Sequence, residues 1–454
     1  MKRTARVAVA LAFAGALLVA AAGWLSLQNT QDESPPDAAG APLAAAVAVS
    51  ASPEVVSRGA YLAQVGNCAG CHTARGGAAY AGGLGINTPF GAVYASNLTP
   101  DVANGIGSWT SQDFWRALHN GKSKDGRLLY PAFPYTNTTL VSRADSDALF
   151  AYLRQLSAAP QANTAHTVRF PYNSPLALAV WRALYFKPGV FKDDPAQSAE
   201  VNRGAYLVGG LGHCSACHAA RNALGATAGP DLAGGLIPLQ NWYAPSLVSK
   251  LEAGLGDWAI ADIKTLFKSG VAANASVIGP MAEVVLGSTQ HWTDADLTAM
   301  AQYLKALGQA APTQHTAAEP ALSLMSTSPT VQANAAPQGS SELGAKLYDQ
   351  HCAQCHGAGG EGQRVGNQLA YPALRGNRAV LMAQTTNLVQ IVLKGGYAPA
   401  TASNPRPFGM PPFVLTLQDN EIAAVLTHAR SQWGNQASSI SALDVNRVRD
   451  NPGR

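Results

Sequence analysis

The longest apolar block comes first. Residues 7–25 carry no charge, sit behind Lys2, Arg3 and Arg6, and give way to polar Gln28, Asn29, Gln31, Asp32 and Glu33. Basic residues stay on the cytoplasmic side, and a spanning helix needs roughly 17–25 apolar residues, so this pattern predicts an uncleaved anchor that exports everything after it. Ala20, Ala21 and Ala22 also offer an A-x-A processing site, the cleavable alternative. No second apolar run of spanning length follows.

Beyond the anchor the pattern shortens to amphipathic helices, and it repeats. Arg58-Gly59-Ala60-Tyr61-Leu62, Arg203-Gly204-Ala205-Tyr206-Leu207 and Leu343-Gly344-Ala345-Lys346-Leu347-Tyr348 read as leading helices. Trp109 and Trp258, in matching Gly-x-Gly-x-Trp stretches, each open another apolar-periodic helix. Closing helices are announced by a hydroxyl residue with an acid three positions on: Ser142 with Asp145, Thr293 with Asp296, Thr416 with Asp419. Ten residues past each cap, Tyr152, Tyr303 and Leu426 are placed to pack against the leading helix.

This periodicity divides the chain. It predicts a signal or anchor helix (1–27), a linker (28–53), a first domain (54–160), a connecting segment (161–199), a second domain (200–309), a flexible linker (310–339), a third domain (340–436) and a C-terminal tail (437–454). The Pro-interrupted aromatic stretch 169–191 is too apolar for a free linker and is expected to pack on a domain or a partner. The fold class that follows is all-α, three tandem domains after an N-terminal membrane segment.

Each domain carries the same chemistry. Cys68 to His72, Cys214 to His218 and Cys352 to His356 are CxxCH pentapeptides, and they use all six cysteines. Two thiols at this spacing add to the vinyl groups of a haem, and the adjacent histidine reaches the iron. A zinc site needs paired CxxC units or a distant histidine pair, and a redox dithiol needs no histidine after its second cysteine. The pattern therefore predicts three covalent haems c, with class I cytochrome c-like domains, and leaves no cysteine for a disulfide. The net charge of +4, with 13% charged residues, gives no basic stripe for nucleic acid. Periplasmic export matches the compartment in which haem is attached.

Distal ligands discriminate between the repeats. Met281 in Gly279-Pro280-Met281 and Met410 in Phe408-Gly409-Met410-Pro411-Pro412 occupy matching stretches and read as iron ligands; Met300 and Met382 fall in helical patterns and read as packing, and Met325 lies in a linker. Between Met1 and Met281 there is no methionine, and the corresponding loop carries Phe133. His119, at the end of the post-Trp109 helix, is the substitute distal ligand for the first haem. A histidine serving that helix's free carbonyls, the more distant His166, and an open iron are the alternatives. A haem without methionine is expected to have the lowest potential of the three.

These segments resemble the three-haem cytochrome c subunits of membrane-bound periplasmic alcohol, gluconate and aldehyde dehydrogenases. The resemblance runs over roughly residues 55–435 and rests on Gly126-Arg127-Leu128-Leu129-Tyr130-Pro131-Ala132-Phe133-Pro134-Tyr135, Gly212-His213-Cys214-Ser215-Ala216-Cys217-His218, Gly279-Pro280-Met281 and Gly409-Met410-Pro411-Pro412-Phe413. It implies a non-catalytic subunit on the periplasmic face of the bacterial inner membrane. Electrons would come from a separate catalytic subunit, molybdenum-containing or a quinoprotein, and go to ubiquinone or the oxidase chain. Phe133 in place of methionine leans toward the cytochromes that accompany molybdenum-containing oxidoreductases. A multihaem enzyme with an open first haem, and a donor subunit of a terminal oxidase, are the other two readings.

Overall fold

The computed structural model describes residues 19–20, 23–29, 51–227, 231–310, 338–366 and 368–450. Most of the apolar run 7–25, and the linker from 311 to 337 with Met325, lie outside the described residues. Among the described residues no helix is long and apolar enough to cross a membrane. The chain divides into two compact units, Met1–Gly59 with His72–Phe191, and Ala60–Cys71 with Lys192–Arg454.

In the first unit, the helix Ser111–Asn120 starts at a capping box between Thr110 and Asp113 and buries Phe114, Trp115 and Leu118. It stops at Gly121, whose left-handed backbone ends the helical hydrogen-bond pattern. The closing helix Arg143–Leu153 is capped as expected, Ser142 accepting from the Asp145 amide. Asp145 is itself buried and takes the Arg58 guanidinium, Nε to Oδ1, at 2.7 Å. The aromatic connecting stretch folds onto this unit. The Thr167 and Arg169 amides donate to Ala92 and Phe90 on the hairpin Gly85–Thr88/Gly91–Tyr94, and Phe186 packs edge-on against fully buried Tyr135 at 4.8 Å.

The second unit holds two further helix pairs. Ala199–Gly209 packs on Asp294–Ala310, and Gln338–His351 on Asp419–Ser431. Arg203 grips Asp296 through two bonds of 2.8 Å, and Tyr61 Oη donates to the same carboxylate at 2.6 Å. Ser288 Oγ donates to the Val65 carbonyl, so the stretch 60–71 is tied to the second repeat. Second and third repeats are joined by a double bond pair, with Asn387 accepting from the Tyr243 amide and donating to its carbonyl, and by the ion pair Arg378–Asp257.

One device recurs at every helix pair. A Cβ on Gly59 would stand 1.9 Å from the Ala148 carbonyl oxygen, one on Gly204 2.1 Å from that of Ala299, and one on Gly344 2.4 Å from that of Ala424. Only glycine lets these backbones cross at such distances. The shared glycine of the leading segments is thus a contact residue rather than a helix former.

Three expectations change. In the third repeat the helix cap is Gln418, boxed with Glu421, and not Thr416 with Asp419. The register therefore runs two residues later, and His428 rather than Leu426 meets the leading-helix glycine, as Tyr152 and Tyr303 do. Glutamine is a rare cap, which hid it from a search for hydroxyl residues. The helices are also not alone: five two-stranded antiparallel pairs occur among the described residues. Finally, the expected tail contains the helix Ala442–Arg449, which buries Val445 and Val448 in the third repeat's core and pairs Arg449 with Asp419 at 2.6 Å.

Candidate haem-binding sites

Each CxxCH sequence forms one short helical turn that ends on its histidine: Cys68–His72, Ser215–His218 and Ala353–His356. All six cysteines are free thiols. Burial pushes the Cys68 and Cys214 thiols up to about 12 and Cys352 to about 11, which favours the neutral thiol in each attachment turn. Burial raises the Cys71 thiol, and the neighbouring Cys217 raises it further.

The histidines are held identically. His72 Nδ1 lies 2.7 Å from the Ser96 carbonyl oxygen, His218 Nδ1 2.7 Å from that of Pro245, and His356 Nδ1 2.8 Å from that of Pro372. A carbonyl only accepts, so Nδ1 carries the proton and Nε2 presents its lone pair outward, the tautomer a metal ligand needs. Burial lowers all three imidazole pKa values against the opposing pull of the carbonyl bond, favouring the neutral ligand form. The carbonyl acceptors come from the segments that follow Tyr94, Tyr243 and Tyr371.

A second repeated fastener was missed in the sequence. The amides of Gly82, Gly234 and Gly362 donate to the carbonyls of His72, His218 and His356, each at 2.8 Å. All three glycines have φ between 73° and 91°, and a Cβ on any would meet atoms within 2.7 Å. Their separations from the histidine, 10, 16 and 6 residues, differ, so no fixed-spacing motif reveals them.

The distal candidates fall into register. Leu129 donates its amide to Gly121 and Val277 to Gly270, both at 2.8 Å, and Phe133 and Met281 each follow four residues later. Met281 is the second residue of the short helix Pro280–Gly287, and Met410 lies in a two-residue strand paired with Gly396. Both are half-buried, and Met410 and Cys352 pack on the same apolar cluster. Met300 and Met382, at 1% and 4% exposure, are core as expected, Met300 within its helix and Met382 just past the end of Arg378–Leu381.

His119 is placed differently from every other candidate. It is fully buried, its ring stacked on Trp115 at 4.4 Å and 10°, with Nδ1 3.5 Å from Thr139 Oγ. His72, His218, His356, Met281 and Met410 by contrast keep part of their surface accessible. His166 is exposed, accepts from the Tyr94 amide through Nδ1 and stands edge-on to Tyr130.

Among the described residues no group of three or more His, Cys, Asp or Glu side chains is gathered into a metal cage, so a zinc site has no ligand set. Paired free thiols, an oriented neutral imidazole and a half-buried methionine do fit a covalent haem.

A cytochrome c family model matches residues 56–157 and 341–433. The cytochrome c subunit of alcohol dehydrogenase (quinone) from Gluconacetobacter polyoxogenes is 38% identical over 406 residues, 87% of this chain and 84% of the relative. The chain belongs to the dehydrogenase cytochrome c subunits. Within this family the gluconate 2-dehydrogenase cytochrome c subunit of Pantoea cypripedii is 36% identical over 411 residues, 88% of this chain and 90% of the relative. The fructose dehydrogenase cytochrome subunit of Gluconobacter japonicus is 33% identical over 410 residues, 87% of this chain and 82% of the relative. Family membership brings covalent haem c to a cytochrome c subunit whose attachment turns are already built.

Proposed function

We propose that the chain is a three-haem, three-domain relay that accepts single electrons from a separate dehydrogenase catalytic subunit. It delivers them to ubiquinone or the oxidase chain on the periplasmic face of the bacterial inner membrane, with residues 7–25 as its anchor. The supporting observation is the threefold arrangement in which a CxxCH turn ends on a histidine whose Nδ1 is held by a backbone carbonyl. Bound haem supplies a reversible one-electron iron couple. The chain's own work is to fix the group through Cys68 and Cys71, Cys214 and Cys217, Cys352 and Cys355, and to aim His72, His218 and His356. The adjacency of Cys71 and Cys217 suits transfer between neighbouring groups.

The test is copurification from membranes. A dehydrogenase subunit should accompany the chain, and its substrate should reduce the haem bands of the complex but not those of the isolated chain. Turnover by the chain alone, or copurification with an oxygen-reducing complex instead, overturns the proposal.

Met281 and Met410 are the proposed sixth ligands of the second and third haems. Met281→Ala and Met410→Ala should each remove half of the methionine-to-iron charge-transfer absorption. Each should also lower one haem potential by a sizeable part of the roughly 0.8 V that axial ligation spans. The first haem, with no methionine in its domain, should titrate lowest. His119, buried and stacked on Trp115, is the proposed sixth ligand of the first haem. An unchanged ligand-field spectrum in His119→Ala removes it as the ligand.

A further inference from the structure

We infer that the helix Pro175–Tyr185 lies in the headgroup layer of the membrane, with its outer stripe against lipid acyl chains. Leu176, Val180 and Leu184, spaced by four, form one face of this helix and are 66%, 39% and 55% exposed. Its opposite face buries Leu178 and Arg182. Arg182 is the helix's only charged residue, and it is turned inward over the Tyr135 and Phe186 rings. The exposed stripe is thus wholly apolar, and Phe170, five residues before the helix, is 82% exposed. An exposed face of this kind marks a surface that something covers.

Three observations select a bilayer. Asn29 Nδ2 donates to the Ala179 carbonyl and Arg182 Nε donates to Asn29 Oδ1, each at 3.1 Å. The helix is therefore fastened to the point where the N-terminal apolar run ends, four residues after Leu25. That places it at the interface where the anchor emerges, and the inference rests on the proposed anchor in this respect. Charge agrees: apart from the inward-turned Arg182, residues 148–192, up to Asp193 and Asp194, hold Arg154, Arg169, Lys187 and Lys192 and no Asp or Glu, which suits anionic headgroups. Tyr172, Trp181 and Tyr185, rings with one polar edge, are the side chains an interface favours.

The test uses the full-length haem-loaded chain in phosphatidylethanolamine/phosphatidylglycerol vesicles containing a phospholipid with a diazirine at its acyl terminus. After irradiation, label should appear on peptides from 170–186. In Leu176→Glu/Leu184→Glu it should fall there about tenfold, the factor that 1.4 kcal/mol gives, with haem absorbance unchanged. Label on 1–27 but none on 170–186 overturns the inference while keeping the anchor. Label on 170–186 without any on 1–27 removes the anchor and keeps the lipid contact. If the complex with the copurifying dehydrogenase loses the label on 170–186, the covering surface is protein and the inference fails.

Discussion

Gly204→Val is expected to destabilise the chain by about 3 kcal/mol or more, a large part of a domain's usual 5–15 kcal/mol. The new Cβ would lie 2.1 Å from the Ala299 carbonyl oxygen and 2.7 Å from Tyr303 Cβ, and the helix backbone there cannot yield like a flexible side chain. The two helices must separate, which opens the Arg203–Asp296 contact beside the crossing. Gly204→Ala sharpens the test. In an unencumbered helix that change stabilises by about 1 kcal/mol, so a loss here identifies the crossing as the cause. Thermal unfolding followed by haem absorbance measures both. Gly189→Ala, with nothing within 4 Å of the new Cβ, should stay within about 0.5 kcal/mol of the parent. A Gly204→Val chain as stable as that control would remove the glycine crossing from the fold's requirements.

Cys214→Ala/Cys217→Ala should lower covalent haem from three per chain to two and reduce electron throughput from substrate to acceptor to that of a complex lacking this subunit. The vinyl groups of the second haem would then have no thiol to bond. His218, held by Pro245, would retain its Nε2 but lose the covalent tether that keeps haem in reach. Haem released by acidic organic extraction, compared with haem retained on the polypeptide, gives the count. Three retained haems in the double variant would mean that these two cysteines are not an attachment pair.

Much of this was legible because haem attachment is written in adjacent residues. A CxxCH turn needs no tertiary partner to be recognised, and the leading and closing helices announce themselves through short-range spacing and caps at Ser142 and Thr293. The Met281 and Phe133 correspondence was equally local, since both follow a helix that stops on a glycine. What escaped notice depends on contacts between distant residues. The carbonyls of Ser96, Pro245 and Pro372 have no side-chain signature, and the glycines that bond to the motif histidines sit at unequal separations. The cap of the last closing helix was misplaced because Gln418 does what a hydroxyl residue usually does. His119 occupies the position of Lys268, and its burial against Trp115 is a tertiary contact that the sequence does not show.

The most direct measurement is the intact mass of the purified, denatured mature chain. A polypeptide that retains three haems through denaturation is the predicted result, one for each of the pairs Cys68/Cys71, Cys214/Cys217 and Cys352/Cys355. A mass carrying fewer than three would contradict it.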